Sequence, residues 1–244
     1  MLMKFLHILL LSLAIVASPP ALAQWAELPS GDLNSRTVRN QAKVESLYQR
    51  GDYKRAHFIY TNELAREGDK YAQYMTGYMY LMGQGVAEDP IKASAWYRIA
   101  AERRAPEFLA VRDELLRALS EEQRLQSDEL YVQLRKEYSD LAIVMGLLVD
   151  DIENLKMPIT GSRLSRSSAP VMSVDPTGMA MSPDLIRSRH LRTAQMRLDF
   201  ITARLDIGSI EAEQVERQLD ALWDRVHEYL NVVDDEADGL YSSP

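Results

Sequence analysis

Apolar side chains recur every three or four residues over most of this chain, a spacing that predicts helices burying one face each. Leu47, Ala56, Tyr60 and Leu64 set one such rhythm; Ala72, Gly77, Tyr80, Ala93, Trp96 and Ala100 set another. A helix is expected after Pro106 through Ala118. Ser120-Glu121-Glu122-Gln123 then reads as a capping box, in which hydroxyl and side-chain amide satisfy each other's orphan backbone N–H groups. Leu125, Leu130, Tyr131, Leu134, Tyr138 and Leu141 continue the helical spacing, so this segment is expected to cap the preceding helices. The apolar run from Leu141 to Val149 falls short of the roughly 20 residues that span a bilayer and predicts a buried helix instead.

The rhythm is lost between Met157 and Pro183, where Pro158, Pro170, Pro176 and Pro183 are scattered among serines, and a linker is expected over 157–183. From Asp184 it returns. Leu185, Leu191, Met196, Leu198, Ile201 and Leu205 line one helix, ended by Asp206-Ile207-Gly208. Ser209 can cap a second, carrying Val215, Leu219, Leu222, Trp223, Val226 and Leu230. The pair predicts an antiparallel hairpin over 184–232, followed by an acidic tail over 233–244. Its stripes must be buried against the earlier helices or against a second copy, which would make a homodimer.

Two stretches of the first half share one pattern. Leu47-Tyr48, Gly51-Asp52-Tyr53, Ala56, Tyr60, Leu64-Ala65 and Gly68-Asp69 form the first. Ala72-Gln73-Tyr74, Gly77, Tyr80, Gly83-Gln84-Gly85-Val86, Asp89, Ala93, Trp96-Tyr97 and Ala100-Ala101 form the second. Setting Ala56 against Ala93 and Gly68 against Arg104 gives an offset of about 36 to 37 residues, the period of helix-pair arrays. Small residues at Ala72, Gly77, Ala93 and Ala100 let paired helices approach closely, and Gly83 and Gly85 supply the turn.

Over roughly residues 40 to 106 the pattern resembles the Sel1-like repeat, a relative of the tetratricopeptide helix hairpin. Arg104 departs from it where the family ends the helix with glycine, and Thr76 where it prefers leucine. The resemblance implies an all-α fold: a short α-solenoid of such hairpins with capping helices over 40–156, ahead of the C-terminal hairpin. It implies a non-enzymatic adaptor or scaffold whose partner is another protein of the bacterial envelope. The first helix of a unit commonly lines the concave binding surface in such arrays, which nominates Tyr74 and Tyr78, with Arg98 and Arg103 adding charge from the second helix.

Composition narrows the setting. Lys4, the apolar stretch Phe5 to Val16 and Ala21-Leu22-Ala23 read as a signal peptide over 1–23, cleaved near Ala23/Gln24, with an extended lead-in over 24–39. With the resemblance, this places the chain in the periplasm or secreted beyond it, with no membrane span after the signal leaves. No cysteine is present, which excludes disulfides and a lipidated cysteine. The formal net charge of −8 argues against broad nucleic-acid binding.

Chemistry is sparse. His57, His190 and His227 lie on three separate expected helices without metal-ligand spacing, so no metal or cofactor is expected. No nucleophile elbow, phosphate loop or cysteine nucleophile occurs, and no catalytic residue is nominated. Asp150, Asp151 and Glu153 read as a solvated helix end. Asp234, Glu236, Asp238 and Gly239 start like a calcium loop, but the chain stops at Pro244 before its closing glutamate. Arg163 and Arg166 form a basic, hydroxyl-rich island in the linker, a candidate docking loop for an anion or carboxylate. The alternatives to an adaptor are a homodimeric spacer acting through the C-terminal hairpin and an envelope hydrolase with carboxylates assembled by folding.

Overall fold

A computed structural model describes residues 35–156, 173–174, 180–181 and 183–232. The expected signal peptide, the start of the expected lead-in, Arg163, Arg166 and the expected acidic tail lie outside the described residues.

The first half is a run of helix hairpins whose ends are fixed by turn chemistry. Helix α1 (Ser35–Gln49) starts inside the stretch expected to be extended. Its first turns are tied by Thr37 to Glu67 and by Gln41 Nε2 to Asp69 Oδ2 at 3.0 Å. Helix α2 (Tyr53–Ile59) continues into a wide π-type turn, Tyr60–Leu64, and a 3-10 turn, Ala65–Glu67. Helices α3 (Lys70–Met82) and α4 (Pro90–Ala100) form the second hairpin, with Asp69 and Asp89 accepting backbone N–H groups at their N-termini. A 3-10 turn, Ala101–Arg103, ends α4. Helices α5 (Pro106–Ala118) and α6 (Glu121–Tyr138) follow, each packed on α4. The Ser120–Gln123 capping box is present in both directions, at 3.0 and 3.2 Å.

Close packing of α3 and α4 rests on glycine. A Cβ at Gly77 would meet the Tyr97 ring at 2.8 Å, so only hydrogen leaves room for that ring. Gly85 is held harder still. It has φ +74°, and a Cβ there would stand 2.5 Å from the backbone carbon of Tyr53 and 2.7 Å from the Lys54 nitrogen. The loop of the second hairpin therefore rests its backbone on the backbone of the first. The Tyr48 hydroxyl bridges the same junction through Gln84 Oε1 at 2.8 Å. The wide turn of the first hairpin lies against α1 and α3, and α4 packs on α3, α5 and α6.

The remaining elements are α7 (Asp140–Lys156), a two-residue antiparallel pair β1 (Ser173–Val174) and β2 (Ala180–Met181), α8 (Pro183–Arg204), a 3-10 turn (Val215–Arg217) and α9 (Leu219–Asn231). Apart from that pair inside the expected linker, every described element is helical. The chain divides into two compact units, residues 1–143 with 227–244, and residues 144–226.

Within the second unit, Val144, Met145, Leu148, Ile152, Ala194, Leu198, Ile201, Val215, Leu222 and Val226 are buried. Helix α8 ends at Arg204, with Asp206 at φ +52°. The second arm does not start at Ser209. Gln195 takes the Ile210 carbonyl at 3.0 Å and the Ala212 N–H at 2.9 Å, which holds the segment along α8 as a loop and delays α9 to Leu219.

Candidate protein-binding surface

The nominated residues of the second hairpin do not form an open face. Tyr74 is fully buried, its ring stacked on Tyr97 at 5.2 Å and on Phe108 at 5.3 Å. Tyr78 is 5% exposed and hydrogen-bonds Tyr48; burial, the largest influence, raises its hydroxyl pKa. Their spacing of four does put them on one side of α3, but helices cover α3 on every side. The expectation of a concave surface at Tyr74 and Tyr78 is thereby corrected. The residue-by-residue burial explains it: the central hairpin has helices packed before and after it, and every residue of Ala72–Leu81 except Tyr80 is buried.

Arg98 is also internal. Its guanidinium pairs with Asp128 and lies 3.9 Å from the centre of the Tyr131 ring, so it joins α4 to α6 rather than offering charge to solvent. Arg103 is only partly buried, but it too is engaged. It donates to Asp140 Oδ2 at 2.8 Å from Nε, and to Asp140 Oδ1 and the Gly68 carbonyl at 3.0 Å from Nη2.

Those bonds belong to a polar knot that no local spacing of residues announces. Lys70 is 1% exposed. Its ammonium reaches Glu102 at 2.8 Å, Asp140 at 3.0 Å, Gln73 at 3.1 Å and the Ile99 carbonyl at 3.2 Å. Gln73 donates in turn to the Ala65 carbonyl at 3.1 Å and the Tyr138 carbonyl at 2.8 Å. Glu102 accepts the Asp140 N–H at 2.9 Å. Two cations and two carboxylates thus tie the ends of the first hairpin, α4 and α6 to the start of α7. Burial alone would raise the Asp140 carboxyl; Lys70 and Arg103 outweigh it and hold its pKa below the ordinary carboxylate value. Each charge has a partner and each helix end loses an orphan carbonyl, which is the work of a clamp and not of a reactive site.

The second unit holds a smaller version. Asp151 is buried and pairs with Arg197, which also donates to the Leu147 carbonyl at 2.8 Å; His190 Nδ1 stands 3.4 Å from the same carboxylate. Asp151 is therefore a helix-to-helix contact and not a solvated end, while Asp150 and Glu153 are exposed.

Open surface lies on the flanking helices. Arg39, Lys43 and Ser46 on α1 and Arg50 just past its end are exposed and fall at intervals of four, three and four, one row along the helix. Val38, 51% exposed, lies beside that row, and Ala42 and Gln49 are exposed as well. On α2, Lys54 and Arg55 are exposed and Phe58 is 58% exposed. The exposed acids of the first hairpin and its 3-10 turn are Glu45 and Glu67, so this face is cationic in a chain whose net charge is −8. No helix among the described residues is long and apolar enough to cross a membrane.

In comparison with known families, residues 70–104 fit the family model of the Sel1 repeat. The matched span is the buried central hairpin with its closing turn. No curated protein and no solved structure matches the chain.

Proposed function

We propose that this chain, which carries a Sel1 repeat at residues 70–104, is a non-enzymatic adaptor that holds another protein. Repeats of this kind generally mediate protein–protein interaction. One observation carries the reading further. The helices of the matched hairpin are largely buried, and Lys70, Gln73, Glu102 and Arg103 are engaged in a clamp, so the hairpin acts as the spine that presents the neighbouring helices to a partner. The signal-like N-terminus supports a place in the bacterial envelope and an envelope protein as partner.

The test is affinity capture of the tagged chain after cross-linking in cells, with mass spectrometry of what is retained. An abundant envelope protein, lost when the exposed first hairpin is altered in a folded variant, is the expected result. Recovery of the chain alone, or turnover of a glycan substrate by the purified protein, would overturn the adaptor reading.

A further inference from the structure

We propose that the outer face of α1 is the docking site, and that its occupant is an acidic amphipathic helix of the partner protein. The inference rests on the adaptor reading and specifies the partner's chemistry.

Three observations support it. The first is position. Helix α3 is covered on every side, whereas α1 packs on α2 and on the wide turn with its other side open from Val38 to Arg50. In an array built by stacking helix pairs, that open side is where a further helix continues the packing. The second is charge. Arg39, Lys43 and Arg50 stand in one row at spacings of four and seven, with Lys54 and Arg55 on the adjoining helix. Arg50 Nε is turned back to the Ser46 carbonyl at 3.1 Å, and Arg55 has Asp52 at 3.4 Å, but Lys54 and Lys43 stand exposed beyond them. The third is apolar exposure. Val38 on α1 and Phe58 on α2 are each more than half exposed, single apolar side chains beside the cations of their own helix.

A helix meets all three requirements. Carboxylates placed at intervals of four and seven on it would run alongside Arg39, Lys43 and Arg50, and an apolar stripe next to them would cover Val38. Exposed ion pairs supply orientation and association rate, and the apolar contact supplies most of the affinity.

The experiment uses the full chain and a labelled synthetic helix of about 20 residues, long enough to hold helix when docked. It carries glutamates at intervals of four and seven beside a leucine stripe; a control peptide has the same composition with the glutamates scrambled. The expected result is saturable binding by fluorescence anisotropy, weakened by about tenfold when salt rises from about 50 to about 500 mM. The double variant Lys43→Glu, Arg50→Glu should lose the binding while its circular dichroism is unchanged. Lys136→Glu, exposed on α6, should keep it.

Absence of saturable binding, equal binding by the double variant, or equal binding of the scrambled peptide would overturn the proposal. Growth in size of the chain alone with concentration, abolished by the double variant, would make the occupant a second copy and overturn it likewise. In the cellular capture, a partner retained equally by wild type and double variant removes this face but leaves the adaptor standing. Binding of the synthetic helix with no cellular partner recovered removes the adaptor and keeps the face.

Discussion

The first two hairpins repeat one plan at different levels of finish. Their second helices start from equivalent aspartates, Asp52 and Asp89, and finish at equivalent left-handed residues, Gly68 at φ +80° and Arg104 at φ +59°. The first spans one residue more than the second. That is why the offset between hairpins is 37 at Ala56 and 36 at Gly68, and the surplus residue is taken up in the wide turn Tyr60–Leu64, where Ala65 N–H reaches back to the Tyr60 carbonyl. The ends of a unit are thus held to period by turns and caps, while its middle tolerates an insertion. The second hairpin is regular and buried; the first is irregular and open on one side.

The sharpest way to break the contrast is to remove the clamp. Lys70→Met leaves Glu102 and Asp140 buried with Arg103 as their remaining cation, and should cost about 3–5 kcal/mol in denaturant unfolding. A loss comparable to that of an exposed lysine of the first hairpin, such as Lys54→Met, would show that the two hairpins do not differ in this way. Next comes the junction. Gly85→Ala combines a left-handed residue with a clash against immovable backbone and should cost about 2–4 kcal/mol by the same measurement.

Acid should separate the hairpins by range. Burial lowers the pKa of His57 from its ordinary 6.5, its ring edge-on to Tyr80 at 5.1 Å. The unfolded chain therefore takes up a proton there first, and the stability His57 contributes is present above pH 6.5 and is lost as pH falls towards its folded value. Asp140 is also lowered, from 3.8, so its contribution persists to much stronger acid. Hydrogen exchange at pH 5.5 against 7.5, a window that brackets the ordinary histidine value and stays above the carboxylate one, should show residues 53–64 losing protection before residues 70–82. Equal loss in both, or its persistence in a His57→Gln variant, would refute this assignment. The smallest effect is a gain. Arg104 is an exposed, non-glycine residue in the left-handed region, and Arg104→Gly should stabilise by about 0.5–1 kcal/mol in thermal unfolding.

What could be read from the sequence was what neighbouring residues decide. The capping box at Ser120 and Gln123, the turn at Gly83 and Gly85 and the helix from Pro106 to Ala118 are all local, and each is present. The wide turn was visible only as the one-residue drift in offset between Ala56 and Gly68. The clamp was not legible at all, because Lys70, Glu102, Arg103 and Asp140 come from separate helix ends and share no spacing. Ser209 failed as a cap for the same kind of reason: Gln195, on another helix, took the backbone groups nearby. Tyr74 and Tyr78 were assigned the correct helix but the wrong surroundings, since periodicity gives the face of a helix and not the number of helices covering it.

The clamp also has a bearing on time. Each hairpin closes over a short stretch of chain, so the array can form quickly from local contacts. Lys70 and Asp140 are far apart in sequence and meet only when the helices between them are in place. A bond made that late contributes little to the folding barrier and much to the unfolding one. The clamp is then best understood as a brake, which sets how long the assembled spine lasts rather than how fast it forms.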